Sequence, residues 1–296
     1  MGKDSKIEWT HHTFNPWWGC AKVSPGCDRC YAERDAGRYK PELKLWGLAK
    51  DGATRRLFGD KHWAEPLKWN DKAAAAGERH RVFCASMADV FDNHPGVAEA
   101  RHRLWELIAR TPHLDWLLLT KRVSNVEKMV EFCWPANAWL GISVVNQQEA
   151  DRDIPRLLEM KRDMNVPVAF ISYEPALGPL SLRSIPAPDG FFDLAYEHGP
   201  GRFDRQSVRL SSERLDWVIV GGESGPGARP FDLQWARATV KQCKEAGTAV
   251  FVKQMGASPI DTSYVGEGAA LKLKDRKGGD WNEWPAVLRV REFPRP

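Results

Sequence analysis

The sequence predicts an α/β protein built as a TIM-type barrel, partial or closed, of six or seven (β/α) units with insertions. Three observations predict it. A short β-rich run ending in one or two polar residues recurs along the chain, and a helix-like segment follows several of these runs. The runs are also apolar enough to be strands covered on both faces. Alternation of this kind implies parallel strands joined by right-handed crossovers. At 296 residues the chain can bury a core of that size.

The candidate strands, in order, are Thr13–Trp18, Arg81–Ser86, Trp116–Thr120, Trp139–Val144, Val168–Tyr173, Trp217–Gly221 and Thr248–Gln254. Val97–Arg110, Gln148–Arg162 and Leu233–Ala246 read as helices. In the first of these, Val97, Ala100, Leu104, Leu107 and Ile108 recur at helical spacing. Asp232 is the expected N-cap of the last and Gly247 its stop. Two intervals exceed ordinary loops, about 39–80 and 176–214, the second rich in Pro and Gly with Phe191-Phe192. Excursions of that length serve as lids and binding elements or as surface decoration, and both readings stay open. The domain reading is a barrel over 1–256 carrying these insertions, with 257–296 as a C-terminal extension packing on it.

Composition narrows the setting. Hydrophobic residues make up 43% of the chain and charged residues 28%, as in a soluble globular protein. No run approaches the roughly 18 apolar residues of a membrane span, so no membrane association and a cytoplasmic location are expected. Three of the six cysteines crowd one loop, while Cys84, Cys133 and Cys243 are scattered; that favours a metal loop in a reducing compartment over disulfides. The net charge of +4 says little about partners. Fourteen tryptophans, several beside polar or basic residues, suit either base stacking or core filling.

The chemistry-bearing stretch is Asn15-Pro-Trp-Trp-Gly-Cys-Ala-Lys-Val-Ser-Pro-Gly-Cys-Asp-Arg-Cys-Tyr31, which sets Cys20, Cys27 and Cys30 in a C-x6-C-x2-C cluster. Three thiolates can hold three irons of a [4Fe–4S] cube and leave the fourth without a protein ligand. Gly19 and Gly26 loosen the backbone there and Pro25 stiffens the turn before the close pair. The competing ligand is zinc, closed by His11 or His12, in a zinc-stapled nucleic-acid-binding protein without catalysis. A zinc deaminase is excluded, since no histidine heads a His-x-Glu and Gly26 separates Pro25 from Cys27.

In barrels of this type, the C-terminal ends of the strands face the active site. Polar residues recur at those ends: Ser86, Asp89 and Asp92; Thr120, Lys121 and Arg122; Ser143 and Asn146; Glu174; Glu223 and Ser224; Lys253 and Gln254. An internal ion-pair network joining Glu174 and Glu223 to Lys121, Arg122 or Lys253 is the plain structural alternative.

The Gly-Cys, Ser-Pro-Gly-Cys and Cys-Tyr-Ala series resembles the phage-associated three-Cys-motif, radical-SAM-like family. Similar blocks continue at Val82–Phe91, Leu114–Arg122, Ser172–Pro175, Val220–Ser224, Phe251–Met255 and Trp284–Glu292, so the likeness covers nearly the whole chain. The first cysteine interval is longer than in the common radical-SAM spacing C-x3-C-x2-C. The resemblance implies a barrel of the radical SAM kind and a [4Fe–4S] cluster on Cys20, Cys27 and Cys30. With S-adenosyl-L-methionine, that cluster would generate a 5′-deoxyadenosyl radical.

The needs of that cofactor then sort the strand-end residues. Ser86 and Asp89 suit its amine, Lys121 or Arg122 its carboxylate, and Ser143 and Asn146 its ribose. Glu174 and Glu223 complete the candidate cofactor contacts. The amine-binding role of a radical-SAM Gly-Gly-Glu is not transferred to Gly221–Glu223, which comes too late in the chain. No residue is assigned to catalysis of the hydrogen transfer itself. The phage association, with the aromatic and cationic residues, implies modification or repair of a nucleic acid or nucleotide. In that setting Trp17 or Trp18 would stack on a base, Lys121 and Arg122 would contact phosphate, and a separate electron donor would be needed.

Overall fold

The computed structural model describes residues 5–130, 132–183, 185–187, 190–192, 214–263 and 269–295. The chain divides into two compact units, Met1–Gly141 and Ile142–Pro296.

The first unit opens with β1 (His12–Thr13), β2 (Trp17–Trp18), α1 (Tyr31–Tyr39) and β3 (Arg56–Leu57). The single strand expected over Thr13–Trp18 is thus broken in two. Pro16 has no N–H for a ladder, and the side chain of Asn15 bonds instead to Ser86 and the Met87 amide. As a result β1 pairs parallel with β4 (His80–Cys84), whereas β2 pairs antiparallel with β3.

The interval before β4 is more than decoration. It contains α2 (Asp60–Trp63) and α3 (Glu65–Ala76). Pro66, Trp69 and Ala73 are the buried residues of α3, spaced along one helical face, and α3 packs on β4 and β5 (Leu114–Thr120). It acts as the crossover helix between β1 and β4. Gly77, at φ +66°, ends it by returning its N–H to Ala73 and Ala74. Next come α4 (Ala98–Ala109) and α5 (Val126–Met129), and β6 (Ala138–Ser143) spans the division between the units.

The second unit contains α6 (Gln147–Asp163), β7 (Ala169–Tyr173), the hairpin β8 (Ile185–Ala187) and β9 (Gly190–Phe192), and β10 (Trp217–Gly221). Most of the long insertion expected at 176–214 lies outside the described residues. Beyond it lie β11 (Phe231–Asp232), α7 (Leu233–Glu245), β12 (Ala249–Gln254), β13 (Pro259–Asp261) and β14 (Ala269–Ala270). Asp232 caps α7 by accepting the Gln234 N–H, and Gly247 follows at φ +65°, both as expected. The helix packs on β10 and β12.

The main sheet has seven strands in the order β1-β4-β5-β6-β7-β10-β12. Among the described residues the order is linear, compatible with a TIM-like partial barrel. Strands β5, β6, β7 and β10 are almost entirely buried, which explains their continuous apolar sequences. The C-terminal extension protects the outer edge of β12. Val252 donates its N–H to Val290, Glu292 donates to Val250, and Phe251 bridges Arg291 antiparallel. Ten of the fourteen tryptophans are buried, so core filling accounts for most of that count. No helix among the described residues is long and apolar enough to cross a membrane.

Asp261, at the end of β13, ties that strand to α7. It receives Arg237 through two N–H groups at 2.8 and 2.7 Å, Gln234 at 3.0 Å and both the amide and hydroxyl of Ser263. Arg237, with Ser263 and Gln234, holds its carboxyl well below the usual range. A depressed carboxylate pKa adds stability that is present above the unfolded value of about 3.9 and is lost as pH falls toward the folded one. Asp261→Asn should therefore cost about 1–3 kcal/mol at neutral pH. In urea titrations, its deficit relative to the wild type should shrink below about pH 4.

Candidate functional site

The cysteine loop starts at a constrained glycine. Gly19 sits at φ +117° and donates its N–H to Met87 in the segment after β4. A Cβ there would lie 2.5 Å from the Leu45 carbonyl oxygen and 2.7 Å from Arg55 Cδ. The Cys20 carbonyl accepts the Gly47 N–H at 2.9 Å. Ser24 caps a short 3₁₀ turn over Pro25–Cys27 by accepting the Gly26 N–H, with Pro25 in its first position. Cys30 then stands as the N-cap of α1. All three thiols are half-buried, and Cys30 packs against Ala32, Ala36, Leu45 and Met87.

Positive charge reaches two of these thiols, Cys20 and Cys30. One Arg122 NH1 lies 2.9 Å from Asp89 Oδ2 and 3.5 Å from Cys20 Sγ, while NH2 donates to the Ala21 carbonyl at 2.7 Å. Burial alone would lower the Arg122 pKa, but Asp89 and then Cys20 carry it above the ordinary arginine value. Burial pushes the Cys20 thiol up to about 12, with the charge of Arg122 opposing that rise. Cys30 is also raised by burial; the backbone amides of Glu33 and Ala32, then Lys121, act against it. Those amides belong to the first turn of α1, whose partial positive charge also opposes the effect of burial.

Asp89 is filled by protein donors. Its Oδ1 accepts the Thr120 hydroxyl at 2.7 Å and the Phe91 amide at 3.0 Å, and its Oδ2 accepts the Lys121 amide at 3.0 Å besides Arg122. Asp92 is buried against Arg55, Nε to Oδ2 at 2.8 Å, with side chains 2% and 1% exposed respectively. Arg55 also donates to the carbonyls of Leu45, Thr54 and Gly47. Ser86 shares its hydroxyl with Asn15, and its carbonyl accepts the Tyr31 hydroxyl. Asn15, Tyr31 and Arg55 were not among the expected site residues. Asn15 and Tyr31 bracket the cysteine stretch and could have been suspected from that position; nothing in the sequence marks Arg55.

In the second unit, the strand-end residues form their own contacts. Ser143 donates to the Glu174 carbonyl at 3.2 Å, and Glu174 pairs with Lys253 at 2.6 Å and with Gln254 at 3.4 Å. Asn146 caps α6 by accepting the Glu149 amide, while the Glu149 side chain accepts the amide of Val145, one residue before the cap. Glu223 accepts the Arg229 amide and guanidinium, the closest contact being 2.7 Å. The alternative of internal ion pairs therefore holds for Glu174 through Lys253, whereas Glu223 takes a nearer partner than those expected.

The sequence matches the family described as a protein of unknown function, DUF5131, over residues 4–285. The chain belongs to the DUF5131 family. Comparison with curated proteins and with solved structures gives no match.

Two kinds of metal group can be tested against this DUF5131 site. Among the described residues, no group of three or more His, Cys, Asp or Glu is arranged to hold a single metal ion. The histidines expected to complete a zinc site lie beside the start of β4, whereas the cysteine loop meets the segment after that strand. His12 Nε2 bonds His80 Nδ1 at 3.1 Å, and His11 Nδ1 accepts the Arg81 amide at 2.8 Å. A four-iron cube is wider than one ion and takes each thiolate at a separate corner. Three thiols with Arg122, Lys121 and a helix N-terminus around them fit such an anionic group in donor type and in charge. Trp17, fully buried, cannot stack on a base as expected, because packing leaves its ring no open face. Trp18 is half-buried, with the Arg56 guanidinium 4.8 Å over its ring.

Gly19 is the point where the loop tolerates least. Gly19→Ala should destabilise the fold by about 1–3 kcal/mol, the scale of a strained backbone position. It should also reduce metal uptake by the cysteine loop. Thermal melts and metal analysis of the purified variant check both.

Proposed function

We propose that this protein is a radical S-adenosyl-L-methionine enzyme that acts on a nucleic acid or nucleotide and draws electrons from a separate donor. The observation that supports this reading is the convergence of Arg122, Lys121 and the α1 N-terminus on a loop of three cysteine thiols. When bound, a [4Fe–4S] cluster with one iron open to S-adenosylmethionine supplies one-electron cleavage of the sulfonium and so a 5′-deoxyadenosyl radical.

The chain's own residues bind and orient. Cys20, Cys27 and Cys30 are the metal ligands, and the charges of Arg122 at Cys20 and of Lys121 at Cys30 oppose the burial that raises those two thiols. Asp89 fixes Arg122 in place, so the carboxylate of the cofactor falls to Lys121 in this reading. Ser86, held by Asn15, presents a small polar group for the cofactor amine. Ser143, Glu174 and Glu223 remain the candidate polar contacts of the second unit, while Asn146 is spent as a helix cap. For a polyanionic substrate, Arg56 beside Trp18 and Phe58 offers a cation next to aromatic faces.

Anaerobic reconstitution tests the reading. The wild type should take up about four irons per chain, with broad absorbance near 400 nm characteristic of thiolate-bound clusters. It should also cleave S-adenosylmethionine slowly to 5′-deoxyadenosine and methionine once reduced. Cys20→Ala, Cys27→Ala or Cys30→Ala should abolish the chromophore, and the same change at Cys84, Cys133 or Cys243 should leave it. A colourless protein holding one zinc per chain would sink the proposal.

A further inference from the structure

We infer that Arg122, locked in place by Asp89, is a positioning residue for the cysteine loop that sets the reduction potential of its cluster, and is not a cation for a diffusible ligand. This inference rests on the iron–sulfur reading above.

The geometry carries it. The Arg122 side chain is only 8% exposed. Its NH1 is shared between Asp89 and the Cys20 sulfur, and its NH2 is spent on the Ala21 carbonyl. Three of the five guanidinium N–H donors are thus committed within the protein, and with so little of the side chain exposed the group is poorly placed to grip a second carboxylate or a phosphate. Its direction is also not accidental. Asp89 is held by the Thr120 hydroxyl and by the amides of Phe91 and Lys121, so its carboxylate cannot rotate away without stranding several donors. The Thr120 hydroxyl accepts the Arg122 amide in turn, at 2.8 Å. Rigid support of a charged group by a buried carboxylate is the arrangement that orients groups around metal sites. The contact falls on the first cysteine of the loop, 102 residues away in sequence.

The electrostatic consequence has a definite sign. Reduction of a thiolate-bound cluster adds one negative charge. A fixed cation beside a ligating sulfur favours the reduced form, and a fixed carboxylate disfavours it; charge and hydrogen bonds to the sulfurs are known levers on cluster potential. Removing Arg122's charge lowers the midpoint potential, and removing that of Asp89 raises it, because the Ala21 carbonyl and the Thr120 hydroxyl still hold Arg122 beside Cys20. A purely structural role would not give shifts of opposite sign.

The test is a redox titration of anaerobically reconstituted full-length protein, followed by electron paramagnetic resonance, with iron content measured on every sample. Arg122→Gln should shift the reduced-to-oxidised ratio at fixed potential at least tenfold toward oxidised, equal to about 59 mV for one electron. Asp89→Asn should shift it toward reduced, and Arg122→Lys should return most of the wild-type value. Unchanged midpoints, or shifts of both variants in one direction, would overturn the inference. If Arg122→Gln fails to fold or to load iron, the sign of the Asp89→Asn shift decides alone. A wild-type protein that takes up no iron would instead overturn the underlying reading.

Discussion

Two buried carboxylates three residues apart, Asp89 and Asp92, organise the first unit. Both lie in the segment after β4, and each is met by an arginine from a distant part of the chain. A buried carboxylate without a partner is strongly unfavourable, and removing one member of such a pair costs about 3–5 kcal/mol. The segment after β4 is therefore pinned from two sides. Arg122 reaches it from the end of β5, and Arg55 reaches it from the stretch before β3. The cysteine loop then hangs on those same groups, through Gly19 to Met87, Cys20 to Gly47 and Arg122 to Ala21.

This arrangement gives one set of side chains two duties. The Asp92–Arg55 pair closes the wall behind Gly19, where Arg55 comes too near to allow a side chain on the glycine. The Asp89–Arg122 pair instead brings a full positive charge to a thiol. Placing cations and helix amides around sulfur is what lowers thiol pKa values and steadies thiolate ligands generally. Burial opposes it here, raising Cys20 and Cys30. Loading a metal would replace that opposition with direct bonds, since metal binding and thiol deprotonation are coupled.

The second unit treats its strand-end charges differently. Glu174 with Lys253, and Glu223 with Arg229, are pairs within the unit that leave part of each cation accessible. Gly222 lies so close to Met255 and Phe231 that a Cβ would meet the Met255 carbonyl at 2.6 Å. The glycine pair at the end of β10 is thereby explained by packing against Gln254 and Met255 at the end of β12. A close approach of backbone to ligand is not needed to account for it.

The sequence alone determined the α/β class, six of the strands to within a few residues and three of the four helices of twelve residues or more, because apolar runs and helical periodicity are local signals. It also marked the cysteine loop, whose spacing is a statement about ligands rather than about packing. The break at Asn15-Pro16, the crossover role of α3 and the edge protection of β12 by the tail depended on partners elsewhere in the chain. Site roles were less legible still. Asp89, Asn146 and Glu174 looked alike as polar residues at strand ends, yet one orients an arginine, one caps a helix and one joins a lysine. Only the tertiary structure separates those duties, since a carboxylate's role is set by which donors reach it. Most of those donors come from residues that sequence proximity does not identify.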